Sequence, residues 1–120
     1  LGIDKADTEA VQRYRVTNYQ FFGAPVALFF TIDRDMELGS WLDYGMFLQS
    51  LMLAARGEGL ETCPQAAFCP YYDSLMPLLE APDEQMLVCA MSLGYPATDA
   101  LVNTFRTSRL AAGTFTRFVD

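Results

Sequence analysis

Ser40-Trp41-Leu42-Asp43-Tyr44-Gly45-Met46-Phe47-Leu48-Gln49-Ser50-Leu51-Met52-Leu53-Ala54-Ala55-Arg56 is the stretch on which the fold turns. Its length and its lack of proline predict one long helix. Ser40 with Asp43 three residues later has the spacing of a capping box, and Gly57 and Gly59 are suitable stops. Trp41, Leu42, Met46, Phe47, Leu48, Leu51, Met52, Leu53, Ala54 and Ala55 cover most of the helix surface, leaving a thin polar strip at Asp43, Gln49, Ser50 and Arg56. A helix that is apolar nearly all round must be buried nearly all round. With 120 residues the chain has too few atoms of its own to cover every side, so the surplus face is expected to meet a second copy.

On the N-terminal side of this helix, Asp33-Arg34-Asp35 predicts a charged turn, preceded by Val26-Ala27-Leu28-Phe29-Phe30-Thr31-Ile32. That run is rich in β-branched and aromatic residues and has no polar alternation, which predicts a strand covered on both faces. Gly23-Ala24-Pro25 separates it from a helix over Asp7 to Gln20, capped by Asp7 or Thr8. On the C-terminal side, Leu60 to Phe68 reads as a short extended stretch interrupted by Pro64, and Pro70 to Leu79 as a brief helix with Tyr72, Leu75, Met76 and Leu79 on one side. Ala81-Pro82-Asp83-Glu84 is a turn. Met86-Leu87-Val88-Cys89-Ala90-Met91-Ser92-Leu93 is a second buried strand, ended by Gly94-Tyr95-Pro96. From Ala97 to Asp120 periodicity is weak. Two buried strands, one central helix and smaller helices predict an α+β or α/β layered domain spanning residues 1–120.

Composition narrows the function. At 52% hydrophobic and 19% charged the chain can build one core, and no apolar run approaches the roughly 18 to 20 positions of a membrane span. Fifteen acidic against eight basic residues give a net charge of −7, which repels nucleic acid and anionic lipid. The chain has no histidine, which removes Ser-His-Asp and Cys-His catalysis and nearly every catalytic zinc site. Chemistry must then come from carboxylates, Tyr, Cys or a borrowed cofactor. Cys63, Cys69 and Cys89 are odd in number and lack Cys-x-x-Cys spacing; they are expected to be reduced, buried thiols of a cytoplasmic protein with no bound metal. The start, Leu1-Gly2-Ile3-Asp4-Lys5, has the features of no signal peptide and no Met, as expected of a processed product or a piece of a longer chain.

Two segments could carry chemistry. Asn103-Thr104-Phe105-Arg106-Thr107-Ser108-Arg109 gathers two arginines and several hydroxyl or amide donors, a set suited to a phosphate. The alternative is a solvated loop whose arginines pair with the excess carboxylates. Thr62-Cys63-Pro64-Gln65-Ala66-Ala67-Phe68 combines small residues with a proline, leaving backbone N–H groups approachable by a planar ligand; the alternative is a tight connector. Six Met and the aromatic residues are most simply core, and Asp83-Glu84 and Asp33 with Asp35 lie in turns where charge is solvated.

Taken in order, Ala24-Pro25-Val26-Ala27-Leu28-Phe29-Phe30, the segment Gly39 to Ala55, Gly59-Leu60-Glu61-Thr62-Cys63-Pro64-Gln65-Ala66-Ala67-Phe68 and finally Asn103 to Leu110 resemble the C-terminal part of an FMN-dependent nitroreductase. The resemblance runs from about Tyr19 to the end of the chain. It implies an α+β fold that dimerises through long central helices such as Ser40 to Arg56, with FMN at the dimer interface. It also implies reduction by NADH or NADPH and electron transfer to nitroarenes, quinones or similar acceptors in a ping-pong cycle. Pro64, Gln65, Ala66 and Ala67 would then lie beside the isoalloxazine ring, with the backbone N–H near Ala66 reaching its N5 edge. Arg109 would hold the FMN phosphate, and Arg106 would replace the charge of a lysine that the family has where this chain has Thr107. Ala66 and Ala67 stand where a common family pattern has an acidic residue and a Gly, substitutions tolerable for backbone contacts. The family's N-terminal half, with its own phosphate and ring contacts, has no counterpart in this sequence. Two functions follow from the resemblance: a flavin oxidoreductase whose cofactor carries the hydride chemistry, or a dimeric binding module that no longer holds FMN tightly.

Overall fold

The computed structural model describes residues 2–119. Helix α1 spans Thr8–Val16, and the Asp7 carboxylate caps it by accepting from the Ala10 N–H at 2.9 Å. It stops short of Gln20. The chain tightens into a 3-10 helix over Thr17–Gly23, in which Phe21 (φ 51°) and Phe22 (φ 53°) adopt left-handed conformations. The cause is tertiary: in this conformation the Phe21 ring stacks on Phe68, with centroids 4.9 Å apart, an interaction that lies outside the reach of local sequence.

Three strands follow: β1 (Val26–Asp33), β2 (Glu61–Gln65) and β3 (Gln85–Gly94). They form one antiparallel sheet in the order β1-β3-β2. The continuous apolar run Met86–Leu93 takes the central place, where both faces are covered, and Leu87, Cys89, Ala90, Met91 and Ser92 are all buried. Met91 faces Leu28 on one neighbour and Pro64 on the other. Strand β1 is an edge strand covered on both faces over part of its length: Leu28 and Phe30 pack on one face and Phe29 on the other, while Val26 and Ala27 at its start are exposed. Proline in β2 costs no ladder hydrogen bond on its outer side because β2 is the other edge.

A register shift between Phe30 and Thr31 leaves Val88 as the extra residue of β3, since Phe30 faces Cys89 and Thr31 faces Leu87. The bulge reverses the alternation of side chains. Val88, Cys89 and Met91 therefore share one face with Phe30 and Leu28, while Leu87 and Ala90 share the other with Phe68, Met76 and Phe29.

Helix α2 (Leu38–Gly57) covers the first face through Tyr44, Leu48, Leu51 and Met52. The Tyr44 hydroxyl donates to the Thr31 carbonyl at 2.8 Å, pinning the helix to β1. The helix starts two residues before Ser40, after Glu37 in extended conformation, and no side chain caps it. The Ser40-Asp43 capping box is thus overturned: Ser40 lies inside the first turn, where its hydroxyl cannot serve as the cap. No residue of α2 is buried, although the helix is apolar nearly all round. Leu42, Met46 and Leu53 recur at helical spacing opposite the packed face and stand exposed.

The second face of the sheet is covered by the Thr17–Gly23 segment, a 3-10 helix at Ala66–Tyr71 and helix α3 (Tyr72–Leu78). Met76 and Leu75 of α3 enter the core, whereas Tyr72 faces outward under the Arg34 guanidinium. The Gln85 N–H closes the expected turn on the Pro82 carbonyl. Beyond β3 the chain becomes an arm. From Tyr95 to Val119 every residue but Ala100 is exposed, Leu101, Phe105, Leu110, Phe115 and Phe118 among them. Among the described residues the arm from Ala97 onward makes hydrogen bonds only within itself. The radius of gyration is 17.6 Å, against about 14 Å for a compact chain of this length.

Candidate cofactor site

Strand β2 ends at Gln65 and the 3-10 turn begins at Ala66, so the first N–H groups of that turn have no acceptor within it. Cys63, Pro64 and Ala66 are exposed and Ala67 is half-buried. With methyl groups as the only side chains at Ala66 and Ala67, nothing projects over this backbone edge. A flat ring can approach it closely.

Gln65 behaves differently from its neighbours. Its side chain is only 3% exposed. The Nε2 group donates to the Asn18 carbonyl at 2.8 Å and lies 3.4 Å from Asn18 Oδ1, while Oε1 is buried without a partner among the described residues. Of the four residues expected beside a ring, Gln65 can therefore contribute only its backbone, and its side chain points into the protein. The edge as a whole still fits a planar, hydrogen-bond-accepting group such as an isoalloxazine.

Arg106 and Arg109 lie on the exposed arm. Both are exposed, as a solvated loop would have them, and among the described residues neither pairs with a carboxylate. Arg109 instead donates from Nη1 to the Thr107 hydroxyl and to the Ser108 carbonyl at 3.2 Å. Two guanidinium groups with no carboxylate partner among the described residues, in a protein of net charge −7, suit a phosphate. Among the described residues no hydrogen bond joins the arm to β2, and the structure does not bring the arginines and the Pro64–Ala67 edge together.

A separate depression of about 440 Å³ lies at the far end of β1, lined by Thr31, Asp33, Asp43, Tyr44 and Gln85, and contains none of these site residues. The cysteines are all free thiols, but only Cys89 is buried; Cys63 is exposed on the edge strand, against the expectation. Burial, and then the neighbouring Cys69, pushes the Cys89 thiol up, and burial followed by Cys89 does the same for the Tyr44 phenol.

A family model for the Nitroreductase family matches residues 2–95. This chain belongs to the nitroreductase family. It is 49% identical over 117 residues to a 4-nitrobenzoate reductase of Pseudomonas putida, covering 98% of this chain and 52% of the relative. It is 43% identical over 118 residues to a chloronitrobenzene nitroreductase of Comamonas testosteroni, again covering 98% and 52%. The FMN and NADPH-dependent nitroreductase NfnB of Sphigopyxis sp. strain HMH superposes with a TM-score of 0.93 at 32% identity, covering 99% of this chain and 53% of that one. The FMN-dependent NfnB of Mycobacterium smegmatis, in complex with NADPH, gives 0.92 at 31% identity over the same shares. The chain spans about half the length of the curated relatives it matches. Its α+β architecture is that of these nitroreductases. The family match ends at Tyr95, where the arm begins, whereas the alignments to the two reductases extend over the arm.

The residues singled out in the sequence do not include the Asn18 to Phe22 segment, which contacts the Ala66–Tyr71 turn through Tyr19 and Phe21. The only available signal was the density of aromatic residues in Tyr19-Gln20-Phe21-Phe22 before Gly23.

Proposed function

We propose that this chain is the C-terminal part of an FMN-dependent reductase of nitroaromatic compounds, driven by NAD(P)H. The observation that carries the reading is the bare backbone edge Pro64–Ala67 in a chain 49% identical to a 4-nitrobenzoate reductase. When bound, FMN supplies the redox chemistry, accepting hydride from a nicotinamide and passing electrons to a nitro group or quinone.

The protein's part is binding and orientation. Pro64 and Ala66 offer the ring a surface without protruding atoms, and the Ala66 and Ala67 amides supply hydrogen-bond donors at its polar edge. Arg109, with Arg106 nearby in sequence, neutralises the phosphate through charge-assisted hydrogen bonds. The exposed stripe Leu42, Met46, Leu53 on α2 forms a homodimer interface with the same stripe of a second copy. Strand β2 follows α2 directly, and Arg56 near the helix end pairs with Glu61 at the start of the strand, so pairing of α2 places the ring-facing edge close to the partner.

The test is reduction of 4-nitrobenzoate by the full chain saturated with FMN and supplied with NADPH. The reading expects turnover well above that of free FMN at the same concentration. Turnover equal to that of free FMN refutes it.

A further inference from the structure

We infer that the segment Asn18–Phe22 is a clamp that fixes the orientation of the ring-facing turn Ala66–Phe68, and that Gln65 and Tyr19 are the positioning residues through which it acts. The inference rests on the flavin reading proposed above for its functional meaning, and on separate geometry for the clamp itself.

Gln65 is the first observation. Its buried Oε1 lacks a partner among the described residues, which costs free energy, whereas a Met of similar volume would fill the same space with no buried polar atom of its own and leave the half-buried Asn18 carbonyl to water. Stability alone therefore does not account for an amide at this position. What the amide provides is direction, because its Nε2 ties the end of β2 to the Asn18 carbonyl at 2.8 Å.

The second observation is backbone strain. Phe21 and Phe22 hold consecutive left-handed conformations, which bulky residues adopt only when the surroundings enforce them. The strained segment faces the turn with its aromatic side chains. Phe21 stacks on Phe68, and Tyr19 meets Phe68 and Tyr71 edge-on at centroid distances of 5.4 and 5.6 Å. The Tyr19 hydroxyl lies 3.4 Å from the Ala67 carbonyl and donates to it.

The two ties flank the peptide units that carry the N–H groups of Ala66 and Ala67. One holds the residue before them, and the other holds the carbonyl after them. Donors fixed before a ligand arrives need no reorganisation on binding, which is the advantage of a preorganised site. Strain and an unpaired oxygen next to a binding edge are thus two parts of one device.

The experiment compares the full wild-type chain with Gln65→Met and Tyr19→Phe by three readouts: melting temperature, backbone amide order parameters at residues 66 to 68 from nitrogen-15 relaxation, and FMN affinity. The clamp predicts an unchanged or higher melting temperature for Gln65→Met. It also predicts order parameters at Ala66 and Ala67 that fall from about 0.85 to below about 0.6 while those of β3 are unaltered, and FMN binding weaker by about tenfold, the effect of losing one orienting hydrogen bond. Tyr19→Phe lowers the order parameters in the same direction by less. Unchanged order parameters at 66 to 68 in both variants overturn the clamp, and so does a lower melting temperature with order parameters reduced evenly over the molecule. The order parameters are read without flavin, so failure of the wild-type chain to bind FMN refutes the proposed function while their pattern still decides the clamp.

Discussion

Replacing Leu42 and Leu53 together by Gln isolates the role of the exposed stripe on α2. Gln is a good helix former, so the helix and its packed face of Tyr44, Leu48, Leu51 and Met52 stay intact. Leu42 is 68% exposed and Leu53 63% exposed. Full burial of a leucine contributes about 1.5 to 3 kcal/mol, so covering the two-thirds still open contributes about 1 to 2 kcal/mol each. In a twofold dimer each position counts twice, which brings the loss to about 4 to 8 kcal/mol. At about 1.4 kcal/mol per tenfold, that is a dimer weaker by roughly a thousandfold or more. Sedimentation equilibrium at micromolar concentration reads the effect, with far-ultraviolet circular dichroism as the check on helix content. The expected result is a dimeric wild type and a monomeric double variant of equal helicity. A wild type that stays monomeric, or a double variant that dimerises as tightly as the wild type, refutes the reasoning from the uncovered apolar face.

Three other perturbations probe the fold and the site. Met91→Ala, at a fully buried position between Leu28 and Pro64, should destabilise the protein by about 2 to 5 kcal/mol in urea denaturation. Gly94→Ala would place a Cβ 2.7 Å from the Pro25 ring, and should cost about 1 to 3 kcal/mol in the same assay because the proline ring has little freedom to move. Cys89 and Tyr44 both have raised pKa values in the fold, so the native state holds their protons more tightly than the unfolded chain. The stability this gives is complete below the ordinary thiol value of 9.0 and falls as pH rises through the higher folded values; melting temperature should therefore decline from about pH 9 upward, and Cys89→Ala should blunt the decline.

What was legible in the sequence divides along a physical line. The α2 helix and the central strand β3 announce themselves because each is a continuous apolar run, and such runs need cover whatever the rest of the chain does. The edge position of β1 could not be read, since Val26 to Ile32 looks the same whether one or two neighbours pair with it. Ser40 and Asp43 had capping spacing, yet the helix begins at Leu38, where no side chain marks the start. The segment after Val16 depends on Phe68, far away in the sequence, and Tyr19, Phe21 and Phe22 give no local hint of left-handed backbone. At the site, the sequence marked Pro64, Gln65, Ala66 and Ala67 as one unit. Only strand pairing separates Gln65, whose side chain turns inward to Asn18, from the exposed residues on either side. Arg106 and Arg109 stood out by composition, and the structure leaves both exposed and without a carboxylate partner among the described residues.

Titration of the full wild-type chain and its Arg109→Ala variant with FMN, followed by flavin fluorescence, tests the central claim most directly. A charge-assisted contact to the phosphate contributes about 1.5 to 3 kcal/mol, so saturable binding by the wild type and binding weaker by about tenfold to a hundredfold in the variant are expected. No saturable binding by the wild type, or equal affinity in the two proteins, would contradict the account.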